Sequence, residues 1–262
     1  MSRLNRVSAN LNMLFTNVPF LERYKLAAAA GFKLVEVSLP YQYDAKEMRA
    51  EADKYNLKHT LINAPPGNWE AGFRGQSALR STVQQFQESI PIAISYAKIL
   101  DCPRVHVMAG IPKTDEDIQH AKATFLDNLR FATEKLKEND ILCLIEPINA
   151  ITIPGYYLNN YDQAVEIIKT IDSPNLKIQF DYFHAQQICG QLSASLTKLR
   201  GHIGYIQVAQ VPARGDCATP GEINYNFIFS ELQKYDSELI VGLEYSDATP
   251  HFEWVPGMNL EF

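Results

Sequence analysis

The chain has 262 residues, 46% hydrophobic and 21% charged, which is ordinary globular composition and excludes a fibrous or disordered protein. A formal net charge of −6 argues against a nucleic-acid partner, which calls for a basic face. Four widely spaced cysteines, no run near the ~18 apolar residues of a membrane span, and a start (MSRLNRVSANLNMLF) without an apolar signal core lead us to expect reduced thiols and a cytoplasmic, membrane-free protein.

The first β-rich run, VSANLNML (7–14), is followed by a helical stretch over 19–30 that opens on Pro19 and stops before Gly31. KLVEVSL (33–39) leads into a helix over 44–55, with Asp44 placed to cap it. KHTLINA (58–64) precedes PPGNWEAGFRG (65–75), which lacks the GK[ST] ending of a phosphate loop and reads as a lid. A long helix follows over 78–100. RVHVMAG (104–110) leads to a helix over 115–138 with an acidic first turn, where the helix dipole favours negative charge. ILCLIE (141–146) leads to 161–171, LKIQFD (176–181) to roughly 186–200, and IGYIQVA (203–209) to 225–235. LIVGLEY (239–245) is the last strand. The residues beyond it contain Pro250, Pro256 and Gly257, so an eighth helix is short or absent.

Strands alternating with helices at a spacing of about 30 residues imply a parallel sheet. Eight such units in this length fit a single (β/α)8 TIM barrel over residues 1–262. The doubly wound rival usually carries a glycine-rich turn after its first strand, and LNMLFTNVPF has no glycine.

Barrel active sites lie where the strands end. Successive strand ends here carry Glu146, Asp181, Gln207 and Glu244. Strand residues alternate faces, so Lys177, Gln179 and Asp181 oppose the apolar Leu176, Ile178 and Phe180. Glu244 shares its face with Gly242, which leaves space in a crowded interior. Converging oxygen donors without cysteine or clustered histidine suit a hard divalent cation, Mg²⁺ or Mn²⁺, better than zinc. A lone barrel-mouth carboxylate has a plainer reading as half of a salt bridge to a neighbouring Lys or Arg, but four oxygen groups at successive strand ends are harder to explain that way.

The stretches LIEPIN, LINAPPG, CPRVHVMAG, IQFDYFHAQ and GHIGYIQVAQVPARGDCATPGEINY resemble the hydroxypyruvate isomerase family of xylose-isomerase-like barrels, from about residue 7 to residue 245. The resemblance implies interconversion of hydroxypyruvate and 2-hydroxy-3-oxopropanoate (tartronate semialdehyde). It implies a divalent metal held by Glu146, Asp181, Gln207 and Glu244, with Glu146 and Glu244 as the proton donor/acceptor pair. It also implies that His184, in DYFH, contacts a substrate oxygen. Arg214, in VPARGD, offers the forked donor that a substrate carboxylate needs. The chemistry is consistent: a proton leaves the carbon beside a carbonyl, an enediolate forms, and an acid returns a proton to the next carbon. The apolar run ILCLI then serves as a rigid strand, broken by Pro147 just past Glu146.

Other residues are assigned lesser roles. Glu222 reads as a helix-entry acid, His106 as pocket lining or core, and His59 and His202 as structural. Relatives commonly carry an arginine after EPIN and a lysine after the last EY; here the text is EPINAITIPG and EYSDATPHFEW. Two further readings therefore stay open: a metal-dependent epimerase or isomerase of a larger ketose, and a barrel that binds a metabolite without turning it over. An endonuclease of the same superfamily is disfavoured, since three-zinc sites need more histidines than the 6 present. The expected partner is a small molecule, and nothing in the residues argues against a homo-oligomer.

Overall fold

The computed structural model describes residues 6–235, 239–258 and 260. Eight strands pair in chain order: β1 (Val7–Asn10), β2 (Leu34–Val37), β3 (Lys58–Asn63), β4 (Arg104–His106), β5 (Leu142–Ile145), β6 (Leu176–Asp181), β7 (Ile203–Val208) and β8 (Val241–Leu243). All pairs are parallel, and β8 closes on β1. Around them run α1 (Glu22–Ala29), α2 (Ala45–Lys54), α3 (Val83–Leu100), α4 (Asp115–Lys137), α5 (Tyr161–Ile171), α6 (Tyr182–Ile188), α7 (Leu192–Leu199), α8 (Tyr225–Tyr235) and α9 (Trp254–Gly257).

Most expected elements are present with trimmed ends. Asp44 caps α2 as expected, accepting from the backbone N–H of Lys46 and Glu47. The stretch 186–200 is not one helix. It divides into α6 and α7 because Gly190 (φ 60°) and Gln191 (φ 43°) take left-handed conformations that no helix continues through. Strands expected over 7–14, 104–110 and 239–245 leave the ladder early. In the second case the backbone N–H of Ala109 turns to the Tyr156 hydroxyl, and its carbonyl accepts from Ala78. The eighth helix is a single turn, α9, as the prolines suggested.

The chain enters successive strands through one recurring device. Asn56, Asp101, Asp140 and Asp172, ahead of β3, β4, β5 and β6, all have φ between 52° and 60°. Asn and Asp tolerate that region better than other side chains because they hydrogen-bond locally.

The barrel interior is layered. Its lower end is apolar, filled by Leu61, Leu144, Tyr205 and Ile240 with Leu34 and Leu142 against them. Above lies a polar layer of Ser8, Asn10, Glu36, Thr60, Gln179 and Gln207, all at most 2% exposed. Gly242 makes this layer possible, because a Cβ there would stand 2.2 Å from Glu36 Oε2. The main core packs between strands and helices and takes the apolar faces of β6 and β7, Ile178, Phe180, Ile206 and Val208.

The loop over 65–75 is pinned at its base. The Gly75 N–H donates to the Pro66 carbonyl, and Gly75 bridges Ala109, three residues past the end of β4. Here the backbones nearly touch, and a Cβ on Gly75 would meet the Met108 carbonyl oxygen at 2.3 Å. Among the described residues no helix is long and apolar enough to cross a membrane.

Candidate active site

A cavity of about 270 Å³ opens at the C-terminal mouth of the barrel. Glu146, His184, Arg214 and Glu244 line it, with Gln179 and His106 beneath and Trp69 of the 65–75 loop at the rim. Of the sequence-predicted residues, Glu146, His184, Arg214 and Glu244 thus line one mouth, Asp181 lies behind it against Arg214 and His184, and Gln207 lies in the polar layer of the interior.

Glu146 follows β5 directly and is 5% exposed. Its Oε1 has no hydrogen-bond partner among the described residues, and its Oε2 lies 3.8 Å from His106 Nδ1. Burial pushes its pKa well up, and the nearby Glu244 and Asp181 carboxylates add to that. A carboxyl group held so is a strong base once ionised.

Asp181 ends β6 and caps α6, its Oδ1 accepting from the Phe183 N–H at 2.8 Å. Strand and helix join at this residue, so its position is set by both. Its Oδ2 faces Arg214 Nη2 at 3.4 Å and His184 Nε2 at 3.6 Å. Burial raises its pKa to about 7, against the downward pull of Arg214.

His184 has a defined tautomer. Asn149 Oδ1 accepts from the N–H groups of Ile151 and Thr152, so its amide nitrogen must face the imidazole. That nitrogen donates to His184 Nδ1 at 2.7 Å. Burial, then Arg214 and His106, hold the ring's pKa well below the usual range, so it is neutral. Its one proton then sits on Nε2, and the ring presents a donor to Asp181 and the cavity. Glu146, Asp181 and His184 offer ligand atoms within 4.8 Å of one another. With Nε2 protonated, His184 is the donor of this group, and the two carboxylates are the oxygen donors a hard cation requires.

The other two expected ligands are already engaged. Glu244 Oε2 accepts from Arg214 Nη2 at 2.7 Å. Gln207 Oε1 accepts from Gln179 at 2.6 Å, and its Nε2 donates to Glu36 at 2.8 Å. An amide oxygen has two lone pairs, so this leaves Gln207 one for another contact. Arg214, expected to meet a substrate carboxylate, spans Glu244 and Asp181 with its guanidinium 4.7 Å from the Phe183 ring centre. Glu222 is exposed and faces Gln186 at 3.5 Å, outside the cavity lining. His59 is buried against the Tyr24 hydroxyl at 2.8 Å, a structural setting.

Sequence reasoning missed Glu36, Asn149 and the inner role of Gln179. Glu36 accepts from Tyr205, Asn10 and Gln207 and, driven by burial, has a pKa raised to about 8. The available signal was an acid between two valines in LVEV, a residue type that buried strands rarely hold without partners.

Comparison with known proteins places these residues in context. Residues 24–260 match the xylose isomerase-like TIM barrel family. A Caenorhabditis elegans protein provisionally named hydroxypyruvate isomerase is 59% identical, covering 100% of both chains. A 2-oxo-tetronate isomerase of Pectobacterium atrosepticum is 43% identical over 92% of each chain. The Escherichia coli hydroxypyruvate isomerase is 39% identical over 93% of this chain and 94% of its own. A solved structure from Brucella melitensis, described as AP endonuclease family 2, superposes with a TM-score of 0.89 at 39% identity and covers 94% of each chain.

Proposed function

The chain belongs to the xylose isomerase-like TIM barrel family, and from that premise we propose that it is an aldose–ketose-type isomerase interconverting hydroxypyruvate and 2-hydroxy-3-oxopropanoate. The observation that carries this reading is Glu146: a buried carboxylate, one oxygen without a partner, at a cavity sized for a small acid.

A proton leaves C3 of hydroxypyruvate to one glutamate, and its electron pair forms the C2–C3 double bond as the C2 carbonyl becomes an enediolate oxygen. The other glutamate, protonated at the start, then delivers its proton to C2, and the C3 hydroxyl passes its proton to the C2 oxygen, so that C3 becomes the aldehyde, C2 carries the hydroxyl and the two glutamates end with their protonation exchanged. Glu146 and Glu244, both in the cavity lining, are the pair. Atoms balance within substrate and enzyme, with no outside oxidant.

The Nε2–H of His184 hydrogen-bonds a substrate oxygen. Arg214 is drawn onto the carboxylate of the substrate or stays as counter-charge to Glu244. Two buried acids, one of them with an oxygen that lacks a partner among the described residues, fit a divalent cation. Glu146 and Asp181 would hold Mg²⁺ or Mn²⁺, with Gln207 and Glu244 as further oxygen donors, and such an ion supplies a Lewis acid that favours negative charge on substrate oxygens.

A four-carbon 2-oxo acid is the second reading, favoured by the 2-oxo-tetronate isomerase relative. Turnover of both acids by purified protein, with and without Mn²⁺, decides between them. No product from either sinks the isomerase reading. Calorimetric titration with Mn²⁺ tests the cation separately: Asp181→Asn should bind at least about tenfold more weakly, and equal affinity removes Asp181 from the ligand set.

A further inference from the structure

Three buried polar atoms in the cavity lining lack partners among the described residues: Glu146 Oε1, His106 Nε2 and Gln179 Oε1. The first belongs to the site already described. The third sits at the end of a chain of hydrogen bonds whose direction can be derived.

The chain starts at a backbone group that can only donate. The N–H of Asn12 donates to Asn10 Oδ1 at 3.0 Å, so Asn10 must turn its Nδ2 away, onto Glu36 Oε1 at 2.8 Å. Glu36 Oε1 is therefore an acceptor. It stays one if the carboxyl is protonated, because the proton then belongs on Oε2 beside Tyr205. Gln207 contacts the same Oε1 and must present its amide nitrogen to it. That turns Gln207 Oε1 toward Gln179, which must answer with Nε2 at 2.6 Å. The orientation of the last amide follows: its Nε2 faces Gln207, and its carbonyl oxygen, in the cavity lining with the Glu146 carboxyl beside the same amide, is left without a partner among the described residues. Gln179 is 2% exposed, so this oxygen has no bulk water to fall back on.

We propose that Gln179 is a substrate-binding residue whose side-chain oxygen accepts a hydrogen bond from the substrate hydroxyl beside the carbonyl, and that Glu36 is the positioning residue that aims it. This rests on the isomerase reading, since every substrate of that reaction carries such a hydroxyl. A site built to hold a hydroxyl rejects the analogue that lacks one, because its own buried acceptor is then left unpaired.

The test compares hydroxypyruvate with pyruvate, which differ only in that hydroxyl. The readout is the inhibition constant of pyruvate divided by the KM of hydroxypyruvate, with Mn²⁺ saturating. Gln179→Leu should shrink this ratio about tenfold, by weakening hydroxypyruvate and leaving pyruvate unchanged. Glu36→Met removes the acceptor and should shrink it similarly, with no further change when combined with Gln179→Leu. Glu36→Gln keeps an acceptor oxygen and should keep the ratio. An unchanged ratio in Gln179→Leu overturns the hydroxyl contact. A Glu36→Met effect that persists without Gln179, or a lost ratio in Glu36→Gln, overturns the positioning role. Should Glu36→Met fail to fold, Glu36→Gln alone decides that half. If wild-type protein makes no product from hydroxypyruvate, hydroxypyruvate fails as the substrate, while calorimetric dissociation constants for the two acids still test Gln179.

Discussion

At the scale of single residues, the two glutamates and one asparagine make separable predictions. Glu146→Gln and Glu244→Gln keep shape and an oxygen but remove the base. Each should lose at least about 10²-fold in kcat, and the double variant little more than the worse single, since both serve one proton-transfer sequence. Steady-state kinetics with metal saturating is the measurement; a single variant that keeps a tenth of wild-type kcat is no proton carrier. Asn149→Asp tests the tautomer of His184. A carboxylate against Nδ1 demands a proton there, so Nε2 becomes an acceptor and the donor toward the cavity is lost. We expect kcat/KM to fall by about 10²-fold, within the range for a mispositioned acid–base group. Nitrogen NMR of the imidazole should show the proton moved from Nε2 to Nδ1; an unmoved proton refutes the assignment.

Strand ends were readable because period-two alternation and a charge after an apolar run mark them, as at ILCLIE and LKIQFD. Partnership was not readable. Nothing in VPARGD says that Arg214 turns onto Glu244, and nothing in LVEV says that Glu36 meets three donors from two other strands, β1 and β7. Those facts depend on barrel register, which pairs Asp181 with Gln207 and Gln207 with Gly242 across distances the local pattern does not encode.

At the scale of elements, the left-handed residues ahead of β3 to β6 repeat one solution to one problem: the chain must stop a helix and reverse into a parallel strand. Asp172, exposed at the end of α5 with φ 52°, is the plainest case. Glycine there carries no Cβ penalty but a larger unfolded-state entropy, so Asp172→Gly should stabilise by no more than about 0.5–1 kcal/mol, and Asp172→Ala should destabilise by about 1 kcal/mol. Urea midpoints of the two variants measure the difference; a more stable alanine variant contradicts the conformational argument. The division of α6 from α7 was signalled only by Gly190, which a helix over 186–200 runs through, since Gln191 gives no warning of a positive φ.

At the scale of the whole molecule, closing the barrel buries ionisable groups whose titration is linked to folding. Burial lowers the His59 pKa to about 4 from its ordinary 6.5. Between those values the unfolded chain binds a proton that the folded chain refuses, so stability falls as pH drops through that window. The contribution is on the order of 1.4 kcal/mol per pH unit. His59→Gln removes it, so the variant should lose less stability than wild type between pH 6.5 and 4.5. Denaturant titrations at both pH values check this, and parallel slopes for the two proteins contradict it.

The pinned loop over 65–75 has an optical consequence. The sequence holds 2 tryptophans, Trp69 at the cavity rim and Trp254 on α9. Trp69 is 41% exposed, and Arg74 lies 3.9 Å over its ring and anchors to its carbonyl. In a Trp254→Phe background the protein carries a single indole, set where a ligand must pass and held by a loop whose two ends are tied together. Emission from that indole should shift to shorter wavelength as pyruvate fills the cavity and water leaves the ring, giving a binding isotherm without turnover or label. The same background with Arg74→Ala should start from redder emission, because the cation no longer shields one face of the ring from solvent.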